Sequence, residues 1–337
     1  DLVLLATGHR SSRTERGGMQ RLDPWHGRCE LRFEHRQTEH GDAGTVHQGG
    51  CSAPFKLLRA EQGKNGRCEL PILHTAGGLV GGDQLSIALD LNTNSRCLIT
   101  SVAAQKVYGS IGRSRLHPEG QWARQQVHCK LANSSDLEWL PQELVLYANA
   151  LFEQHLTVQL PANASFLSAE IVRLGRTAAG ETLQQGRWRS ALSLCRRSVE
   201  PHQASRWELV DRLDLGGDAL NDQHGLNKRP VFGSLVWAAP MPLNGEALTQ
   251  LLELVRSDRE GLNGTMRCSA LDQGLVARYS GPSSRDARFW FSRIWARTRA
   301  LRALSAPQIP RVWPLQEQPL TPSSFKTNTA VPAARTH

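Results

Sequence analysis

Apolar and polar residues alternate one for one through most of this chain, and that rhythm leaves few folds open to it. Cys29, Leu31 and Phe33 alternate with Glu30, Arg32 and Glu34. Leu85, Ile87, Leu89 and Leu91 alternate with Ser86, Ala88 and Asp90, and Phe152, Leu156, Val158 and Leu160 share a face opposite Glu153, His155, Thr157 and Gln159. Trp207, Leu209, Leu213 and Leu215 continue the pattern. Successive side chains of a strand point to opposite faces, so each run reads as a strand with one face in a core and one in water. Turn-forming clusters separate the runs at Asn92–Ser95, Pro118–Gly120, Ala132–Ser135, Pro161–Ala164 and Gly216–Gly217. Short strands so spaced indicate a sandwich, a barrel or a stacked β-helical body. Helical crossovers are missing, which argues against a doubly wound α/β sheet. No internal repeat of fixed period is present, which weighs against a regular solenoid.

Helical periodicity is confined to the last third. Asn244 caps a predicted helix over about 244–256, with Leu248, Leu251, Leu252 and Val255 on one face. Ser283 and Asp286 form a capping-box-like start to a second, over about 284–304. Its apolar positions are Ala287, Phe291, Ile294, Thr298 and Leu301, joined by Trp290 and Trp295, while Arg285, Arg288, Arg293, Arg297, Arg299 and Arg302 spread over the rest. The expectation is an amphipathic helix packed on the β body with a solvated basic face. Docking of an acidic partner on that face, by a generic β-rich binding module, is the alternative. Thr265–Leu271 and Leu275–Tyr279, around Asp272-Gln273-Gly274, read as a hairpin.

Charge and cysteine usage narrow the function. Lysine and arginine total 40 against 31 acids, a net charge of +9. Arginine carries most of it, and its planar fork suits carboxylate or phosphate. The motifs of nucleic-acid-binding folds are absent, so nucleic acid is not an expected partner. The seven cysteines form no C-x-x-C pair; Cys29, Cys97 and Cys129 fall in apolar alternations and read as buried thiols of a cytoplasmic protein. Leu2–Ala6 is too short for a signal-peptide core or a membrane span. Residues 1–18 are expected to be a disordered upstream extension with Met19 as the natural start, 19–315 a single β-rich domain, and 316–337 a flexible tail.

Chemistry is hard to find. The glycine stretch Gly77-Gly78-Leu79-Val80-Gly81-Gly82-Asp83 lacks the Gly-Lys-Ser/Thr of a phosphate loop, and a carboxylate at 83 would repel phosphate. The strand Leu85–Leu91 follows it where a dinucleotide fold needs a helix. It therefore reads as a pair of tight turns feeding a core strand, with Asp83 pinning the turn. No nucleophile elbow is present, so no catalytic residue and no enzyme are expected. His128 and Cys129 point to opposite faces of one strand, and His26 and Cys29 have no second dyad, so no tight metal site is expected. Leu137-Glu138-Trp139-Leu140-Pro141-Gln142-Glu143 reads as a surface bend with solvated acids, and Arg176 with Glu181 as a structural ion pair.

Taken in order, these segments resemble one family, the UreD (UreH) urease accessory proteins. The likeness rests on Gly77, Gly78, Gly81, Gly82 and Asp83, then on Trp139, Pro141, Gln142 and Glu143, then on Gly175, Arg176, Gly180 and Glu181. Arg278, Trp295, Leu301 and Pro310-Arg311-Val312-Trp313 are similar to the family's ending, and the similarity runs from about Trp25 to Trp313. Thr75 and Ala76 stand where many members carry prolines. The resemblance implies a mainly β fold, a layered β-helical or sandwich-like body with two α-helices near the C-terminus. It also implies a cytoplasmic nickel-insertion chaperone that acts with UreF and the GTPase UreG on apo-urease (UreABC). No cofactor would be tightly bound, and Ni²⁺ would be in transit. A protein that hands on Ni²⁺ should not grip it with several thiolates or imidazoles, and passage needs sites weak enough to leave. Asp83, Glu138, Glu143, Glu170 and Glu181, at or near the motifs, are the candidate transit or interface acids.

Overall fold

The computed structural model describes residues 12–13, 21–37, 43–198, 204–315 and 317–320. The expectations for 1–18 and for 316–337 lie largely outside these residues; within them, Ser12–Arg13 pairs antiparallel with Arg21–Leu22. The body consists of two sheets face to face. In the seven-stranded sheet, His26–Gln37, Gln84–Leu91, Ala123–Leu131, Leu151–Leu160 and Arg187–Arg196 lie side by side and parallel. Ala43–Cys51 and Arg206–Gly216 close its two edges antiparallel. In the second sheet Cys68–His74, Arg96–Val102, Asp136–Leu140 and Ser165–Leu174 are parallel neighbours. Val231–Ala238 and the hairpin Thr265–Leu271 and Gly274–Gly281 extend it antiparallel.

Between Cys68–His74 and Arg187–Arg196 the chain winds back and forth between the two sheets, so the parallel ladders come from winding and need no helical crossover. This is a β-helical coil flattened into a sandwich, as the alternation and the family likeness indicated. Its turns stack: Asp136 N–H donates to Ser95 O and Ser165 N–H to Ser135 O, both at 2.9 Å. The strand starts Gln84, Ala123, Leu151 and Arg187 are unevenly spaced, because the outward loops differ in length. An uneven coil leaves no fixed repeat in the sequence.

Two α-helices cover the second sheet: α1, Gly245–Ser257, capped by Asn244, and α2, Ser284–Leu301, capped by Ser283. Ser283 Oγ accepts from Asp286 N–H at 3.1 Å, the expected cap. The expected solvated basic face does not exist. Arg288, Arg293, Arg297 and Arg299 are buried, because α2 is enclosed by the sheet on one side and by α1 and the segments 305–315 and 317–320 on others. Each guanidinium is committed to a partner. Arg297 holds both Asp258 oxygens, at 2.8 and 2.9 Å, and Arg293 donates to Asp258 O and Glu260 O. Arg299 holds both Glu138 oxygens at 2.6 and 2.8 Å, and Arg67 lies 3.5 Å from the same carboxylate.

Two more expectations are corrected. Trp207 does not share a face with Leu209. A bulge opposite Leu194 and Cys195 inserts Glu208, whose carboxylate is drawn inward to Arg196 at 2.8 Å. The extra residue reverses the side-chain phase and leaves Trp207 60% exposed. The stretch around Glu138 is not a surface bend with solvated acids: Asp136–Leu140 is a fully buried central strand.

Against the upward push of burial, Arg302 and Arg67 hold the Asp136 carboxyl well below the usual carboxylate range, and Arg67 and Arg299 lower that of Glu138. Carboxyls so depressed contribute stability above their unfolded values, and the contribution is lost as pH falls through the folded ones. Arg299→Ala, which strips Glu138 of its bidentate partner, is expected to cost about 3–5 kcal/mol at pH 7. The penalty should shrink as the medium is acidified below about pH 4. Urea unfolding at several pH values measures both.

Candidate functional site

Strand parity decides where each candidate acid goes. On Asp136–Leu140, Glu138 faces α2 while Leu137 and Trp139 face the other sheet. On Ser165–Leu174, Phe166, Ser168, Glu170 and Val172 face inward. Glu138 and Glu170 therefore lie on opposite faces of one sheet.

The inward side holds a cavity of about 270 Å³. Apolar residues such as Ile72, Ile87, Leu144, Phe152 and Val172 form much of its wall, with His74, Gln125, Gln142, Gln154 and Glu170 among them. Its mouth lies between the turn at Gly77–Gly78 and the segment Val102–Lys106. A smaller cavity of about 20 Å³, room for about one water, lies beyond, lined by Ser168, Glu170, Ser190, Asp211, Ser234 and Arg278 among others. Glu170 and Val172 line both.

The partition between the cavities is polar. Gln154 Nε2 donates to Glu170 Oε2 at 2.9 Å and to Ser190 Oγ at 3.2 Å, a bridge between the two sheets. Register places Gln125, Gln154 and Ser190 in one row across the first sheet, and Glu170, Ser234 and Arg278 in one row across the second. Arg278 donates to Ser234 Oγ at 2.9 Å and pairs with Asp211. Burial pushes the Glu170 carboxyl up to about 7, offset in part by the Trp139 indole and the Gln154 amide. The arrangement offers a cation oxygen ligands from a carboxylate, an amide and hydroxyls, which bind borderline metals weakly. Among the described residues no group of three or more His, Cys, Asp or Glu side chains could hold a metal ion.

The other candidates are placed differently. Asp83 is fully buried and pins the glycine turns: its two oxygens accept from Trp25 N–H at 2.8 Å and Val80 N–H at 2.9 Å. Glu138 is engaged by Arg299 and Arg67. Glu143 sits 3.4 Å from Arg288 near the surface, and Glu181 forms the expected ion pair with Arg176. The glycines shape the mouth. A Cβ on Gly78 would come within 2.7 Å of the Tyr108 ring and 3.0 Å of Lys106 O. Pro141 and Gln142 tie the second sheet to the C-terminal segments: Pro141 O accepts from Arg288 at 2.8 Å, and the Gln142 amide donates to Ser101 O and Val312 O. Trp139 approaches Glu170 from within, and Gly175 and Gly180 adopt positive φ at the turn that carries Arg176.

Sequence reasoning named Glu170 but missed its neighbours. Gln125 interrupts the apolar phase of Ala123, Val127 and Cys129, Gln154 that of Phe152 and Leu156, and Ser190 that of Trp188 and Leu194. A polar residue in the apolar phase of several successive strands was the available signal.

A family model described as UreD urease accessory protein matches residues 26–314. A protein from Synechococcus sp. (strain WH7805), named "Urease accessory protein UreD", is 99% identical over 319 residues, covering 95% of this chain and 100% of that protein. Proteins of the same name from Parasynechococcus marenigrum (strain WH8102) and Prochlorococcus marinus (strain NATL1A) are 72% and 50% identical. They cover 95% and 88% of this chain, and 100% and 96% of their own lengths.

The raised Glu170 carboxyl makes a stability prediction. The folded chain binds a proton that the unfolded chain releases near its ordinary value of 4.5, so stability falls as pH rises from about 4.5 to about 7. Glu170→Gln removes that dependence. Its stability relative to the parent should improve by about 2–3 kcal/mol between pH 5 and pH 8 in paired urea unfolding curves; parallel curves would contradict the assignment.

Proposed function

The chain belongs to the UreD family of urease accessory proteins, and from that membership we propose that it is a nickel-insertion scaffold through which Ni²⁺ passes between the two sheets. As a urease accessory protein it serves urease maturation and is not an enzyme. In the proposed assembly it works in the cytoplasm with UreF and the GTPase UreG on apo-urease. No helix among the described residues is long and apolar enough to cross a membrane.

The observation that carries the reading is the polar partition at Glu170. An apolar sandwich core gains nothing from burying a carboxyl whose ionisation it opposes, yet this core places one between two cavities, bridged to Gln154 and Ser190. Such a group suits an ion that must enter and leave. Deprotonated, Glu170 supplies a charged oxygen ligand; protonated, it offers only neutral oxygens. Two core thiols are kept out of the way: burial raises the Cys29 and Cys68 pKa values to about 12, so neither is a ready soft ligand. Beyond the partition, the smaller cavity is lined by the Ser168 and Ser234 hydroxyls and by Asp211, whose carboxylate Arg278 engages. Docking of an acidic partner on the α2 arginines finds no support, since most of those guanidiniums are buried.

Urease subunits produced together with UreF, UreG and this chain provide the test. Glu170→Ala and Asp211→Asn variants that still co-purify with the complex should lower the nickel content of the urease severalfold, while Glu30→Ala on the outer face should not. Wild-type nickel loading by the Glu170→Ala variant would remove this passage.

A further inference from the structure

Burial of most α2 arginines means that the chain's free positive charge lies elsewhere, and part of it gathers beside the cavity mouth. Tyr108 and Tyr147 meet edge to face there, ring centroids 4.9 Å apart. The Arg176 guanidinium lies 4.5 Å above the Tyr147 ring and is held by Glu181. The loop 109–122 folds against the same side: Ser110 and Ile111 N–H donate to Asn149 O at 2.9 and 3.3 Å. It carries Arg113 and Arg115, both exposed, and Leu116, which is 68% exposed. Lys106 stands at the mouth itself. Among the described residues no carboxylate pairs with Lys106 or Arg115.

We propose that this rim, formed by Lys106, Tyr108, Arg113, Tyr147 and Arg176, is a docking surface for an acidic segment of a partner protein that also presents an aromatic or apolar side chain. Charge selects the acid. Lys106, Arg113 and Arg115 are the excess cations there, because Arg176 is matched by Glu181 and Glu119 lies 3.5 Å from His117. The tyrosines select the apolar anchor, because rigid aromatic faces bury much area for little lost rotamer freedom, and Tyr and Arg concentrate at the energetic centres of interfaces. The platform is assembled in the free chain. Tyr108 N–H donates to Leu79 O and Tyr147 N–H to Val107 O, both at 2.9 Å, so little ordering cost remains to be met on binding. The inference goes beyond the metal passage and requires no nickel.

Fluorescence anisotropy with three labelled probes tests it: a glutamate–tyrosine copolymer, a polyglutamate of equal length and a DNA duplex. The full chain should bind the copolymer most tightly, with affinity falling as salt screens the charges. Arg113→Glu with Arg115→Glu should weaken copolymer binding about tenfold or more, that is by about 1.4 kcal/mol. Arg28→Glu with Arg256→Glu, which changes the net charge equally at distant exposed positions, should leave it within about twofold. Tyr147→Ala should bring the copolymer down to the affinity of polyglutamate. The Arg113/Arg115 pair lies on an exposed loop and keeps the test decisive if the Tyr147 variant does not fold. Equal weakening by both charge-reversal pairs would reduce the effect to net charge and overturn the proposal. So would tighter binding of the duplex than of the copolymer.

Discussion

A single buried carboxylate, Glu138, sets the frame on which the rest is hung. Arg299 approaches it from the helix and Arg67 from the neighbouring turn, and all three side chains are out of water. Burying charges this way is costly unless each is paired and hydrogen-bonded. Once they are, removal of any one leaves the others stranded, so the helix can dock in only one place. That placement fixes the phase of Asp136–Leu140. With Glu138 turned to the helix, Trp139 must turn to the other sheet, where it meets Glu170.

The passage then follows from parity. Parallel sheets are ordinarily covered on both faces. The second sheet satisfies that rule with the helices on one side and the first sheet on the other. Its strands therefore read as nearly continuous buried runs, as in Ser165–Leu174. Within such runs a polar side chain can be directed to either face by its position alone. Glu138 goes to the arginines, which keep it charged; Glu170 goes to the cavity, where burial holds its pKa near neutrality. Two similar carboxyls thus acquire opposite behaviour from one residue's difference in parity between strands.

Much of the family signature preserves shape, while the polar partition depends on other positions as well. Asp83 is spent on backbone N–H groups, Gly78 on admitting the Tyr108 ring, and Pro141 and Gln142 on joining sheet, helix and C-terminal segment. These devices position the mouth of the cavity and its rim. Of the motif residues, only Trp139 reaches Glu170. The partition otherwise relies on Gln154 and Ser190, which belong to no motif that the sequence displayed.

The sequence by itself determined several of the strands, most of their inward faces and both helix caps, because these follow from side-chain periodicity and local hydrogen bonding. It also marked Glu170 as an acid near the motifs. It misjudged the arginines of α2, since a helix's periodicity records how apolar a position is and not whether a distant carboxylate awaits it. It misplaced Trp207, since a bulge is a property of the pair of strands and leaves no mark on one. Only the tertiary structure decided that Gln125, Gln154 and Ser190 share a row and that Glu170 faces them across the core. Those residues lie on successive strands, and register between strands is fixed by winding and packing, which no single stretch of sequence contains.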